Sequence, residues 1–422
     1  MKKEDALRYH RYPVPGKIDV VSSKACVTQQ DLSLAYTPGV AEPCREIHAD
    51  PSAVYDYTVK GNLVAVITDG TAVLGLGDIG PMAGKPVMEG KALLFKRFAK
   101  INAFDIEIDE KDPVEFVKIV RSLEPTFGGI NLEDISSPRC FEIEESLKKI
   151  MNIPVFHDDQ HGTAVICAAG VLNGLEIAGK KPGDCKVVIC GAGAAGVSIA
   201  KHLINCGFNN DNIFCFDKDG VLFKGRKETV SPYHSFLFRD TAARTLYDLM
   251  DGADVFIGVS VKGLVKEEML GKMAKDPVIF PMANPDPEVA YETVMKVRPD
   301  AMAGTGRTDY PNQVNNVLGF PAIFRGALDI RATSITEKMK MAATVALMKV
   351  AKMPVMKSVL DVYGLESLEF GRNYLIPKPF DPRVLVEVAI GVAKAGMDEG
   401  VNRISIDIDE YRSKLEKEFL NG

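Results

Sequence analysis

The sequence predicts an α/β protein with largely parallel sheet and, in its second half, a doubly wound order of strands and helices. Three observations carry this. Strand-like apolar runs alternate with amphipathic stretches along the chain. Several runs are apolar at consecutive positions, as in strands covered on both faces. One such run feeds directly into a glycine-rich turn that opens a helix. With 422 residues, 46% hydrophobic and 26% charged, the chain has material for two or three cores.

In chain order, residues 1–15 are charged and lack the apolar stretch of a secretory leader, and apolar runs such as residues 164–172 are shorter than a membrane span. These features predict a cytoplasmic protein without a membrane partner. Residues 63–70, LVAVITDG, form a buried strand ending in a turn, followed by the loop GLGDIG at 75–80. Residues 89–100, EGKALLFKRFAK, carry helical spacing with Lys91 in the first turn. A cation there opposes the helix dipole, so Lys91 is either a solvated side chain or a functional exception. Residues 128–132 are strand-like and end at Glu133 and Asp134; a second apolar run ends in HDDQHGTA at 157–164.

Residues 186–190 form a short buried strand, and Gly191-Ala192-Gly193-Ala194-Ala195-Gly196 leads from it into a helix over 197–205. This is G-x-G-x-x-G in its required context: the glycines permit a tight turn and close approach to a pyrophosphate, and the helix N-terminus supplies N–H donors. A further strand, 213–216, ends at Asp217, placed to bind the ribose hydroxyls of NAD and to repel the 2′-phosphate of NADP. Lys218, Lys224 and Arg226 either pair with such a phosphate or form a solvated charged loop. Strands over 255–259 and 278–280 continue the sheet and end near Ser260 and Asn284-Pro285.

A formal charge of −6 with dispersed Lys and Arg offers no basic stripe, which argues against nucleic acid and for a small-molecule substrate. The eight cysteines form no C-x-x-C pair and sit largely in apolar runs, as reduced thiols do. The acidic pairs Glu133-Asp134 and Asp158-Asp159 are either ordinary strand-end polarity or parts of a hard-oxygen site for Mn²⁺ or Mg²⁺. No third histidine or cysteine has zinc-ligand spacing with His157 and His161, which are either structural or hydrogen-bonding groups.

The ordered motifs YTPGVA (36–41), GLGDIG (75–80), EGKA (89–92), NLEDI (131–135), HDDQHGTA (157–164), GAGAAG (191–196), NP (284–285) and NNVLGFP (315–321) resemble those of the malic enzymes in their short prokaryotic form. The resemblance runs from about Arg11 to the PKPFDP segment at 377–382. It implies oxidative decarboxylation of L-malate to pyruvate and CO₂, with NAD or NADP and a divalent metal, Mn²⁺ or Mg²⁺. It further implies metal ligation by Glu133, Asp134 and Asp159, Lys91 as general base, Tyr36 as general acid and Asp158 as partner of Lys91. Asn284 and Asn316 resemble asparagines that bind the substrate carboxylate and the nicotinamide side. A lysine of ordinary pKa, about 10.4, holds its proton near neutrality, so the base role requires a lowered value from metal charge and desolvation.

By the same resemblance, residues 1–158 form an N-terminal α/β substrate and dimerisation domain, 159–315 a Rossmann-type nucleotide domain, and 316–422 a segment returning to the first domain. A homodimer or higher homo-oligomer is implied. Larger members carry a substrate-gripping arginine before the GLGD motif, where this chain has TAVL (71–74); Lys85 is a substitute candidate. Two other readings share the glycine fingerprint: a non-decarboxylating hydroxy-acid dehydrogenase, which needs no carboxylate triad, and a non-catalytic dinucleotide sensor, which needs no Lys91.

Overall fold

A computed structural model describes residues 2–227, 231–284, 286–307 and 309–420; Pro285 of the NP motif lies outside the described residues. Four strands, β1 (Leu63–Thr68), β2 (Asn102–Glu107), β3 (Gly129–Leu132) and β4 (Val155–His157), form a parallel sheet in the order β2-β1-β3-β4. All six residues of β1 are buried, which is why that stretch is apolar without alternation. Six strands make a second sheet: β5 (Val187–Cys190), β6 (Ile213–Asp217), β7 (Gly220–Val221), β8 (Val255–Gly258), β9 (Val278–Pro281) and β10 (Met302–Ala303). Their order is β10-β9-β8-β5-β6-β7, parallel except for the β6-β7 hairpin. In each sheet the winding reverses beside its first strand, and such a reversal opens a crevice at the carboxyl ends of the strands.

The helix carrying Lys91 runs Pro81–Ala99, starting eight residues before the predicted Glu89. Gly80, at φ +80°, turns the chain into it and Pro81 fills its first position, where the missing N–H costs nothing. Lys91 therefore lies in the middle of the helix, and the expected opposition to the helix dipole does not arise. Helix Asp158–Ala178 joins the two sheets. Its 21 residues are long and apolar enough to cross a membrane by length and composition, but 67% of its most apolar window is packed inside the protein. Ala194–Asn205 follows the glycine turn, with Ala194 and Ala195 as its first residues.

Beyond Asn316 the chain packs back onto the first sheet. Helix Phe320–Asp329 places Phe320 and Phe324 edge-on against Phe95, at 4.8 and 5.2 Å, and Phe324 against Phe156 of β4 at 5.7 Å. Glu337–Lys352 and Arg383–Asp398 continue this layer. At the other terminus no described residue before Lys60 is buried; the helices Lys3–Arg11 and Gln29–Ala35 expose Leu7, Leu32 and Leu34, and Tyr36 and Val40, between Gln29–Ala35 and the helix Ala41–Ala49, are exposed as well. This arm touches the body at Lys17, whose backbone N–H donates to Glu89 at 3.0 Å and whose Nζ donates to the Pro86 carbonyl at 2.5 Å, and at Asp56, which pairs with Arg331 at 2.7 Å.

Candidate active site

Lys91, Glu133, Asp134, Asp158 and Asp159 converge at the carboxyl end of the first sheet. The two acidic pairs follow β3 and β4, adjacent parallel strands, so the turns after them face each other. Asp134 takes φ +54°, a left-handed conformation that Asp tolerates better than most residues, and its N–H donates to Asp159 Oδ2 at 2.7 Å. Oxygens of Glu133, Asp134 and Asp159 lie within 4.8 Å of one another. Three carboxylates so close repel, and an all-oxygen set of this kind fits a hard divalent cation such as Mg²⁺ or Mn²⁺.

The Lys91 ammonium donates to Asp158 Oδ2, lies 3.0 Å from Glu133 Oε1 and sits 4.6 Å from the centre of the Phe320 ring. Asn131 donates to the other Glu133 oxygen at 3.0 Å, and Asn316 donates to Asp158 Oδ2 at 2.5 Å. Asn316 thus serves the Lys91–Asp158 pair. Burial pushes Glu133 well above the usual carboxylate range, and the nearby Asp159 adds to the rise. Burial alone would lower Lys91, but Asp158, Glu133 and Asp159 outweigh it and hold the ammonium above its ordinary value. The carboxylates surround the lysine with negative charge, so a lowered value requires their neutralisation, as a bound divalent cation would supply.

His157 is fully buried, with Nδ1 3.7 Å from Asp159 Oδ2 and neither ring nitrogen hydrogen-bonded among the described residues. One further set went unread at the sequence level: Asp69, just after β1, pairs with Arg139 at 2.6 Å and accepts from the Thr71 hydroxyl at 2.6 Å. Thr71 Oγ1 in turn accepts the Ser136 N–H at 2.9 Å, tying the loop after β1 to the loop after β3. The position of Arg139, five residues past Asp134 in EDISSPR, was the available signal.

Other predicted residues lie apart from this cluster. Lys85 pairs with Asp105 and, at 3.4 Å, Glu107, both on edge strand β2. Tyr36 is 70% exposed on the arm, and its hydroxyl makes no hydrogen bond among the described residues. Asn284 is exposed in the loop after β9.

The second sheet's crevice is built from backbone. Gly191, at φ +117°, approaches the Val259 carbonyl so closely that a Cβ would lie 2.5 Å from its oxygen, and a Cβ on Gly196 would lie 1.8 Å from the Gly191 oxygen. Around Gly193 there is nothing within 4 Å of a Cβ position, which leaves room for a pyrophosphate over the helix N-terminus. These contacts fit a dinucleotide. Asp217 is already engaged: Arg226 pairs with Oδ2 at 2.8 Å and the Asp219 N–H donates to Oδ1 at 2.8 Å. Lys218 pairs with Asp219.

Residues 15–148 match the family described as "Malic enzyme, N-terminal domain" and residues 160–362 that described as "Malic enzyme, NAD binding domain". The chain belongs to the malic enzyme family. The "NADP-dependent malic enzyme" of Halomonas elongata is 53% identical over 402 residues, 95% of each chain. The protein of the same name from Salmonella typhimurium is 54% identical over 98% of this chain but 55% of its own length, so the chain spans about half of that relative. The crystal structure of the Pyrococcus horikoshii malic enzyme superposes with a TM-score of 0.89 at 43% identity, covering 99% of this chain and 95% of that one. Strands β1–β3 fall in the first matched segment and β5–β10 in the second, so this malic enzyme chain pairs an N-terminal α/β domain with a Rossmann-type NAD-binding domain.

Proposed function

We propose that the protein oxidatively decarboxylates L-malate to pyruvate and CO₂, reducing NAD⁺ or NADP⁺. The observation that carries this reading is the Lys91 ammonium set between Asp158 and Glu133 beside the carboxylate triad, in a chain that also holds a dinucleotide turn. A divalent cation held by Glu133, Asp134 and Asp159 would offset their charge and polarise the substrate's C2 oxygen. Lys91, once neutral, takes the C2 hydroxyl proton while the C2 hydride passes to the nicotinamide. Breaking the bond from C3 to the carboxylate releases CO₂ and leaves its electron pair in an enolate, which takes a proton at C3 to give pyruvate. Asp158, itself held by Asn316, keeps the lysine aimed at that position. Asn284, exposed in the loop after β9, is the residue this reading assigns to the nicotinamide end.

Two further assignments belong to this reading. The first sheet with residues 316–422 forms one unit, into which 159–315 is inserted as the nucleotide domain. The arm, with Leu32, Leu34 and Tyr36 at 55%, 67% and 70% exposure, is covered by a second copy in a cytoplasmic homodimer. The general-acid role of Tyr36 then belongs to the assembled protein, because within one chain its hydroxyl stands at the surface.

The test is reduction of NAD⁺ and NADP⁺, separately, by L-malate with and without Mn²⁺, with pyruvate and CO₂ assayed together. Metal-dependent reduction matched by pyruvate is expected. Accumulating oxaloacetate would mean a non-decarboxylating dehydrogenase, and binding without reduction a nucleotide sensor.

A further inference from the structure

Beside the start of helix Asp158–Ala178, a half-buried imidazole and two buried charged groups from three helices meet. His161 lies one turn beyond the Asp158-Asp159 pair, with its ring 5.4 Å from that of Phe156. Its Nε2 lies 2.8 and 3.0 Å from the two oxygens of Glu144, on helix Arg139–Ile150. Its Nδ1 lies 3.1 Å from the Nζ of Lys340, on helix Glu337–Lys352. Lys340 and Glu144 have side chains only 3% and 5% exposed. An ammonium can only donate, so Nδ1 must accept; the ring proton is then on Nε2 and is donated to Glu144. Both ends of one imidazole are used, in one tautomer.

The surrounding partners show what the arrangement fastens. Glu144 also accepts the Lys148 ammonium at 2.6 Å and the backbone N–H of His157 at 3.3 Å, so the same carboxylate holds the chain on both sides of the acidic pair. Lys148 lies 3.4 Å from His161 Nε2 as well, but its shorter bond is to Glu144. Lys340 is held by Glu337 at 2.5 Å, and Glu337 accepts from Asn205 of the nucleotide-binding helix at 3.1 Å. Two residues before His161, Asp159 faces Glu133 and Asp134, with its side chain 32% exposed. Its position follows from the rotation of the helix start about its axis, and His161 is the side chain that resists that rotation from the opposite face.

We propose that Glu144, His161 and Lys340 form a bracket of positioning residues that sets the rotation of the turn bearing Asp158 and Asp159, and thereby the affinity of the carboxylate triad for its divalent cation. The inference rests on the reading of Glu133, Asp134 and Asp159 as metal ligands. Outer groups that orient ligands change metal affinity by about ten- to a hundredfold when removed. Glutamine at 161 keeps a donor for Glu144 and an acceptor for Lys340, whereas leucine keeps the bulk and loses both bonds. In either variant Glu144 retains Lys148 and Lys340 retains Glu337, so no buried charge is left without its ion-pair partner.

The experiment is Mn²⁺ binding to the full chain, followed by electron paramagnetic resonance of the free ion, beside NADP⁺ binding by calorimetry. His161→Leu is expected to weaken Mn²⁺ by about ten- to a hundredfold, with His161→Gln within about threefold of the parent and NADP⁺ affinity unchanged in both. Mn²⁺ affinity in His161→Leu equal to the parent's would overturn the bracket. An equal loss in both variants would do so too, since ring shape and not the two hydrogen bonds would then matter. Asp159→Asn separates the two levels: if it binds Mn²⁺ as the parent does, the metal reading itself is wrong and the bracket falls with it.

Discussion

At the carboxyl end of the first sheet, β1, β3 and β4 deliver side chains: Asp69, Glu133, Asp134 and Asp158, with Lys91 brought in from the helix after β1. At the same end of the second sheet, β5 and β8 deliver backbone: the turn at Gly191, the Val259 carbonyl against it and the start of helix Ala194–Asn205. Both sheets are parallel apart from the β6-β7 hairpin and reverse their winding beside their first strand, so topology makes the crevice in each case and not its chemistry. Clustered buried charge suits proton transfer and cation binding, because Lys91, Glu133 and Asp158 are displaced from their ordinary states by burial and by one another. A glycine turn over a helix start suits a large anion that must be held without being altered.

The comparison breaks most visibly if the two crevices can be disabled independently. Lys91→Ala is expected to lower kcat by about a hundred- to ten-thousandfold, the usual scale for losing a general base, while the dissociation constant for NADP⁺ stays at the parent value. Steady-state kinetics with L-malate and calorimetry with the nucleotide check the two halves. A variant that retains kcat would remove Lys91 from the chemistry and return the first crevice to a structural salt bridge.

Gly196→Ala probes the other crevice. Its Cβ would lie 1.8 Å from the Gly191 oxygen, and the obstacle is backbone, which cannot rotate away. Overpacking of this kind costs about 1–3 kcal/mol, so nucleotide affinity is expected to fall by roughly ten- to a hundredfold. Mn²⁺ affinity should be unchanged, since no residue of the triad touches this turn. Loss of Mn²⁺ binding in the same variant would show that the two crevices are not separable.

The two ends also differ in how far they could be foreseen. The glycine turn, β5 and β6 follow from local rules, because a buried strand, a G-x-G-x-x-G spacing and a following helix are contiguous in the chain. The acidic pairs were visible as strand-end residues, and the parallel β3-β4 neighbours bring them face to face. What periodicity could not supply was anything set by packing between distant segments. Phe320 lies over Lys91 only because the chain returns to the first sheet after residue 316. Arg139 meets Asp69 across 70 positions, and Lys340 meets His161 across 179. The Lys91 helix starts at Pro81, eight residues before Glu89, because Gly80 and Pro81 are its start signals and Pro86 is accommodated inside it. The raised Lys91 was unforeseeable from residue type, since its sign depends on how many carboxylates the fold gathers around it.

The smallest expected effect concerns the seam between the two regions. His202 of the nucleotide-binding helix is buried, with Nε2 2.8 Å from Thr344 Oγ1 on helix Glu337–Lys352. Burial, with the Lys340 ammonium nearby, pushes its pKa down from 6.5 to about 4, against a smaller opposing pull from Glu337. The folded imidazole is therefore neutral at pH 5.5 while the unfolded one is mostly protonated. Since the unfolded state binds more protons between about pH 6.5 and 4, stability contributed by neutral His202 is complete above 6.5 and declines as pH falls through this window. At pH 5.5, one unit below the unfolded value, the loss is about 1.4 kcal/mol. Urea denaturation at pH 7.5 and 5.5 of the parent and of His202→Gln isolates it, because every other titrating group is common to both. The parent should lose about 1.4 kcal/mol more than the variant between the two pH values. Equal losses would mean that protonated His202 is accommodated in the folded seam, and that the helix joining the two crevices tolerates a charge where the packing shows a neutral ring.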